Sequence, residues 1–188
     1  MTPVLSFRDA RRWRSWLARN HRAPEGVWLK IAKKGSSEVS VSYAEALDEA
    51  LCFGWIDGQK KSHDEAAFLQ KFTPRRSRSI WSKRNIEHCE RLIAAGKMET
   101  SGQTQIDAAK QDGRWNQAYD PPSRSAPPED LVRALSRNRR AREFFERLDR
   151  ANRYAITWRL QTAKRPETRA RRLEGFVQML AEGRKLHP

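Results

Sequence analysis

The chain reads as an α+β protein, a small antiparallel sheet packed with helices, followed by an all-helical C-terminal segment docked on it. Three observations carry this expectation. Short runs rich in β-branched and aromatic residues, bounded by Gly, Pro or Ser, fall at Val27–Ile31, Trp55–Lys60 and Phe68–Phe72. Apolar residues at helical spacing, with cap residues in front of them, separate these runs. Beyond Asp120-Pro121-Pro122-Ser123-Arg124-Ser125-Ala126-Pro127-Pro128, every apolar pattern has helical period.

Taken in order, Ser6 and Asp9 resemble an N-cap with an acid at N3, and Ala10, Trp13, Trp16 and Leu17 share one helical face ending near Asn20. Pro24 and Gly26 then break the chain before the first strand. Ser42-Tyr43-Ala44-Glu45 has the capping-box pattern, and Leu47, Ala50 and Leu51 form the stripe of the helix it opens, with Gly54 near its end. The second and third strands follow, the third closed by Pro74. A helix over about Ser82–Ala95 buries Ile86, Cys89, Leu92 and Ile93 and stops at Gly96; another starts near Thr100 and closes at Gly113. Past the Pro-rich break come helices marked by Leu131/Leu135, by Phe144/Phe145/Leu148, by Ala155/Trp158/Leu160, and by Leu173/Phe176/Val177/Leu180 after Pro166. The expected organisation is residues 1–120 as an α+β region, 121–128 as a Pro-rich connection and 129–188 as a helical region. The last is small for a core of its own, which is why docking is expected.

Composition narrows the function. In 188 residues, 38 Lys and Arg stand against 23 Asp and Glu, a net charge of +15. Such a field attracts polyanions; Arg-rich composition of the kind GC-rich genomes favour is the other source of it. No apolar run reaches the roughly 18 residues of a membrane helix, and the N-terminal stretch lacks the apolar region of a secretory signal. A cytoplasmic protein without membrane insertion is therefore expected. Cys52 and Cys89 read as buried small residues of a reducing compartment. His21, His63, His88 and His187 are scattered, with no HExxH, CxxC, phosphate loop or GxGxxG, so neither metal nor cofactor is expected. Ser62-His63-Asp64 has the letters of a hydrolase triad, but adjacent residues cannot take its geometry. Asp48 and Glu49 point to different sides of their helix. These absences weigh against an enzyme.

Two segments stand out. In Phe53-Gly54-Trp55-Ile56-Asp57-Gly58-Gln59-Lys60-Lys61, glycines bracket an aromatic and an acid. Asp57 is either a turn residue accepting backbone hydrogen bonds or the weak candidate for an acid/base group, with Trp55 and Lys60 beside it as ligand contacts. In Phe72–Asn85, an Arg/Ser loop runs into a helix amino terminus, where free N–H groups favour anions. Arg75, Arg76 and Arg78 would fork onto phosphate or carboxylate, Ser79, Ser82 and Asn85 would add polar contacts, and Trp81 would stack. The alternative is a solvated loop with Trp81 in the core and Ser79 or Ser82 as N-cap. A secondary basic surface is read on Lys164, Arg165, Arg169 and Arg172, the last two on a side roughly opposite the apolar stripe of the final helix.

GWIDGQKK, FTPRRSRSIWSKRN and TAKRPETRARRLEGFVQMLAEGRK look like signature stretches of the YdeI/OmpD-associated, or bacteriocin-protection, family, and the resemblance runs over nearly the whole chain. It implies an intracellular bacterial protein linked to bacteriocin protection and stress tolerance, with no catalytic residues to transfer. Three functional readings follow. The first is a non-catalytic binder of an anionic ligand, or of nucleic acid in a sequence-tolerant manner, through the Arg-rich loop. The second is a small-molecule site or enzyme with a pocket between Trp55–Gly58 and Arg75–Asn85. The third is an adaptor anchored by exposed tryptophans. The oligomeric state is open.

Overall fold

The structure, a computed structural model, describes residues 2–188. It divides into two compact units, residues 1–118 and 119–188. In the first, β1 (Val4–Leu5), α1 (Ala10–Asn20), β2 (Val27–Ala32), α2 (Tyr43–Cys52), β3 (Trp55–Ser62), β4 (Ala67–Pro74), α3 (Lys83–Ala94) and α4 (Thr100–Gln111) follow in order. The second holds α5 (Glu129–Ser136), α6 (Arg139–Arg147), α7 (Arg150–Gln161) and α8 (Pro166–Ala181).

The sheet runs β1-β2-β4-β3. β2 pairs antiparallel with β4, Val27 opposite Phe72 and Ala32 opposite Ala67, and β4 forms a hairpin with β3. It is mixed rather than wholly antiparallel, because β1 adds in parallel to β2 with Val4 opposite Trp28. A two-residue strand shows no alternation, so no sequence pattern announces it. The first helix is also capped differently from the expectation. Asp9, not Ser6, is its N-cap and accepts from the Arg12 N–H at 2.8 Å. Ser6 lies outside the helix, just after β1, and the Phe7 carbonyl accepts from the Val41 N–H. The capping box at Ser42 and Glu45 is present in both directions.

β2 alternates as the pleat requires: Val27, Leu29 and Ile31 are buried, while Trp28, Lys30 and Ala32 are half-buried. The buried set shares one core with Trp13 and Leu17 of α1, Leu47 and Leu51 of α2, and Trp55, Phe72, Trp81, Cys89, Leu92 and Ile106. Trp13, fully buried, stacks on Trp16 at 5.3 Å and donates its indole N–H to the Ala46 carbonyl at 3.0 Å, so its one polar atom is satisfied inside. Two glycines let the pieces close. Gly54, at φ +75°, turns the chain from α2 into β3. At Gly102 of α4, a Cβ would stand 2.2 Å from the Cys52 carbonyl oxygen at the end of α2.

The second unit has its own core, Leu131 and Leu135 of α5, Ala141 and Phe145 of α6, Leu148, Ile156 and Leu160 of α7, and Phe176 and Leu180 of α8. This corrects the expectation that the region is too small for one: four amphipathic helices turn their stripes toward one another and bury them together. Buried polar ties add to it. Asn152 donates to the Asp149 carboxylate at 2.8 Å and accepts from the His187 N–H at 2.9 Å.

Candidate functional site

The two segments singled out in the sequence lie side by side. Trp55 pairs with Pro74, Ile56 with Thr73 and Asp57 with Phe72, and the Arg75 N–H donates to the Gly54 carbonyl at 3.0 Å. Trp55 is fully buried, its indole N–H held by the His21 carbonyl at 2.7 Å. Asp57, half-buried, accepts from the Tyr43 hydroxyl at 2.7 Å, a partner from α2 that no local pattern signals. Gly58 has an ordinary φ and lies where the β3 register slips between Asp57 and Lys60, with its carbonyl accepting from the Gln70 amide at 2.9 Å. Lys60 is exposed and sits over the Phe68 ring at 4.1 Å.

Past Pro74, neighbouring arginines part company. Arg75 is only 7% exposed; its guanidinium lies 3.4 Å from the Trp81 ring centroid and donates to the Ile80 carbonyl. A cation on a desolvated indole face is worth about 2 kcal/mol, so Arg75 holds the loop together rather than presenting itself to a ligand. Arg76 and Arg78 are exposed. A tight turn fixes them: the Arg76 N–H donates to the Ser79 hydroxyl and the Ser79 N–H to the Arg76 carbonyl, both at 2.9 Å. Arg114 ties the turn down through the Ser79 carbonyl. Trp81 is buried against Trp115, centroids 4.9 Å apart. Ser82 is the N-cap of α3, accepting from the N–H of buried Asn85 at 3.1 Å. Lys83 and Arg84, not among the candidates read from the sequence, are exposed on the first turn of α3.

Nucleophilic chemistry finds no footing in the thiols. Burial pushes Cys89 up to about 12, the nearby Arg75 charge only partly opposing it, and pushes Cys52 up to about 11. The neighbouring acids Asp48 and Glu49 turn to different partners. Asp48 meets His88 and Arg91 at 2.7 Å, and Glu49 meets Arg14. Burial would raise the Asp48 carboxyl, but those hydrogen bonds outweigh it and hold it low. Asp64 of the Ser-His-Asp string spends one carboxylate oxygen on the N–H groups of Ala66 and Ala67, as a turn residue does. Of the seven tryptophans, Trp13, Trp55 and Trp81 are buried and Trp16, Trp28, Trp115 and Trp158 half-buried. Among the described residues no group of three or more His, Cys, Asp or Glu could hold a metal, and no helix is long and apolar enough to cross a membrane.

In the second unit, Lys164 and Arg165 are exposed, but Arg169 and Arg172 turn inward instead of away from the apolar stripe. Arg169 forks onto both Asp130 carboxylate oxygens, at 2.7 and 2.9 Å, and donates to the Leu160 carbonyl. Arg172 donates to the Arg159 carbonyl at 2.6 Å. Both thereby satisfy carbonyls in the last turn of α7, where cations are favoured.

Residues 5–105 match the model of a family described as a domain of unknown function (DUF8412). Residues 126–183 match that of the family described as bacteriocin-protection, YdeI or OmpD-associated. The YdeI/OmpD likeness is thus located in the helical second unit, while GWIDGQKK and FTPRRSRSIWSKRN fall within the other match. No curated protein and no solved structure matches the chain.

Proposed function

The chain belongs to the family described as a domain of unknown function (DUF8412), and on that premise we propose that it is a non-catalytic binder of an anionic partner, nucleic acid included, through the loop ahead of α3. One observation carries the reading. From Ala66 to Ile86 there is no Asp or Glu, and the fold exposes Arg76, Arg78 and Arg84 of this stretch beside the amide end of α3. A helix start already favours anions, and exposed guanidinium forks supply bidentate contacts. Arg75 and Trp81 keep the loop in one shape, which lowers the ordering cost of binding. The description of the family matched by residues 126–183 extends the reading to bacteriocin protection.

Fluorescence anisotropy with labelled single-stranded DNA, duplex DNA and RNA at several salt concentrations tests the loop. Replacing Arg76 and Arg78 together with alanine, with Arg75 left in place, is expected to weaken binding and flatten its salt dependence. Every phosphate that the protein no longer neutralises lowers the slope of log K against log salt by roughly 0.7–0.9. An unchanged slope and affinity would remove the loop from the binding surface.

A further inference from the structure

At the other end of the sheet, the hairpin β3–β4 and the exit of β2 assemble a second basic surface. Beyond the register slip, Lys60 pairs with Gln70, Lys61 with Leu69 and Ser62 with Phe68. Successive residues of a strand point to opposite faces, and each lysine finds an aromatic ring. Lys60 Nζ is 4.1 Å from the Phe68 centroid and Lys61 Nζ is 4.4 Å from that of Trp28. Lys71 approaches the same Trp28 ring at 5.5 Å. Lys33 and Lys34, leaving β2, join Lys60, Lys61, Ser62 and Phe68 around a cleft of about 540 Å³.

No carboxylate lines this cleft. Lys30 pairs with Glu38 at 2.9 Å and with Asp64 at 3.6 Å, and Asp64 is equally close to His63. Among the described residues Lys33, Lys34, Lys60, Lys61 and Lys71 form no ion pair. The mutual repulsion registers in Lys71, whose ammonium is pulled below the usual lysine range by burial and then by the charge of Lys61. Lysines on an edge strand discourage edge-to-edge pairing, and β3 is an edge. That role needs charge in solvent, not an aromatic ring beneath each ammonium nor a cleft gathered from two strands far apart in sequence.

Cations without a carboxylate partner, set beside half-buried rings, suit a single strand, whose phosphates run past the cations and whose bases displace the ammoniums from a ring. A duplex keeps its bases stacked and cannot use the rings. We propose that this cleft and the adjoining Trp28 face bind single-stranded nucleic acid. Lys33, Lys34, Lys60 and Lys61 contact phosphates around the β3 edge, and a base stacks on Trp28, on the sheet face opposite Phe68, where the Lys61 ammonium now rests. The site shares no residue with the loop ahead of α3 and does not rest on that reading.

The test is anisotropy on the full chain with labelled oligothymidylate, oligouridylate and a duplex of equal length, from low to moderate salt. The variants are K60A/K61A, both exposed positions, together with W28A, W28F and the loop pair R76A/R78A. The single strands are expected to bind more tightly than the duplex. K60A/K61A should lower the salt slope by about 1.4, two contacts at about 0.7 each. W28A should weaken binding roughly 5- to 150-fold, the range for one stacked base, and W28F, which keeps a ring, should retain most of it. Equal affinity for duplex and single strand overturns the proposal, as does a slope unchanged in K60A/K61A. Loss confined to R76A/R78A overturns it while leaving the loop reading intact. Loss confined to the sheet variants upholds it and removes the loop.

Discussion

Arg75 and Arg76 are adjacent in sequence and opposite in consequence. Arg75 lies flat on Trp81 with its surroundings closed over it, and its removal leaves an indole face and a cavity. Arg75→Ala is expected to cost roughly 2–3 kcal/mol in urea unfolding, whereas Arg76→Ala, in solvent, should stay within about 0.5 kcal/mol. Equal effects at the two positions would contradict the burial described. The cysteines give a second measurement at this scale. With thiols pushed to about 11 and about 12 by burial, neither carries appreciable thiolate at about pH 8. A thiol reagent should modify neither Cys52 nor Cys89 in the folded protein and both in denaturant; rapid labelling of native protein would show that one is open to solvent.

At the scale of elements, helix packing depends on close approaches that leave no room for a side chain. Gly102 of α4 has no room for a Cβ against the Cys52 carbonyl, and Gly102→Ala should destabilise by roughly 1–3 kcal/mol as α4 is pushed away. Thermal melts of the variant check this. In the second unit, the Arg169 fork joins α8 to α5 through Asp130. The hydrogen bond from Arg169 holds the Asp130 carboxyl below its ordinary range, against the opposing effect of burial. A carboxyl lowered on folding stabilises above its unfolded value, about 3.9, and loses that contribution as pH falls through the folded value. Asp130→Asn should therefore cost roughly 1–2 kcal/mol near neutrality, with the gap from the parent narrowing below about pH 4. A gap independent of pH would mean that the ion pair contributes nothing.

For the whole molecule, the excess of 38 basic over 23 acidic side chains is the dominant property. Self-repulsion of that size disfavours the compact state and is screened by salt. The melting temperature should rise between low salt and a few hundred millimolar sodium chloride; a fall would show that ion pairs such as Arg169–Asp130 and Arg14–Glu49 outweigh the net repulsion. The same screening should weaken any polyanion complex, so stability and binding are expected to move in opposite directions along one salt series.

Much of this was legible from residues close together in the chain. Caps such as Ser42 and Ser82, the helical stripes and the alternation of β2 are local matters of backbone donors and apolar spacing. The total charge and the missing metal or phosphate motifs need no fold to be read. What lay beyond local pattern was which cations face solvent and which groups meet. Arg75 is inside and Arg76 outside because Trp81, six residues along, closes over one of them. Arg169 and Arg172 point inward because the last turn of α7 leaves carbonyls that need donors. Lys33–Lys34 and Lys60–Lys61 line one cleft only because β4 stands between β2 and β3 and brings their ends together. Burial and strand order are collective outcomes of packing, and a linear pattern carries no record of them.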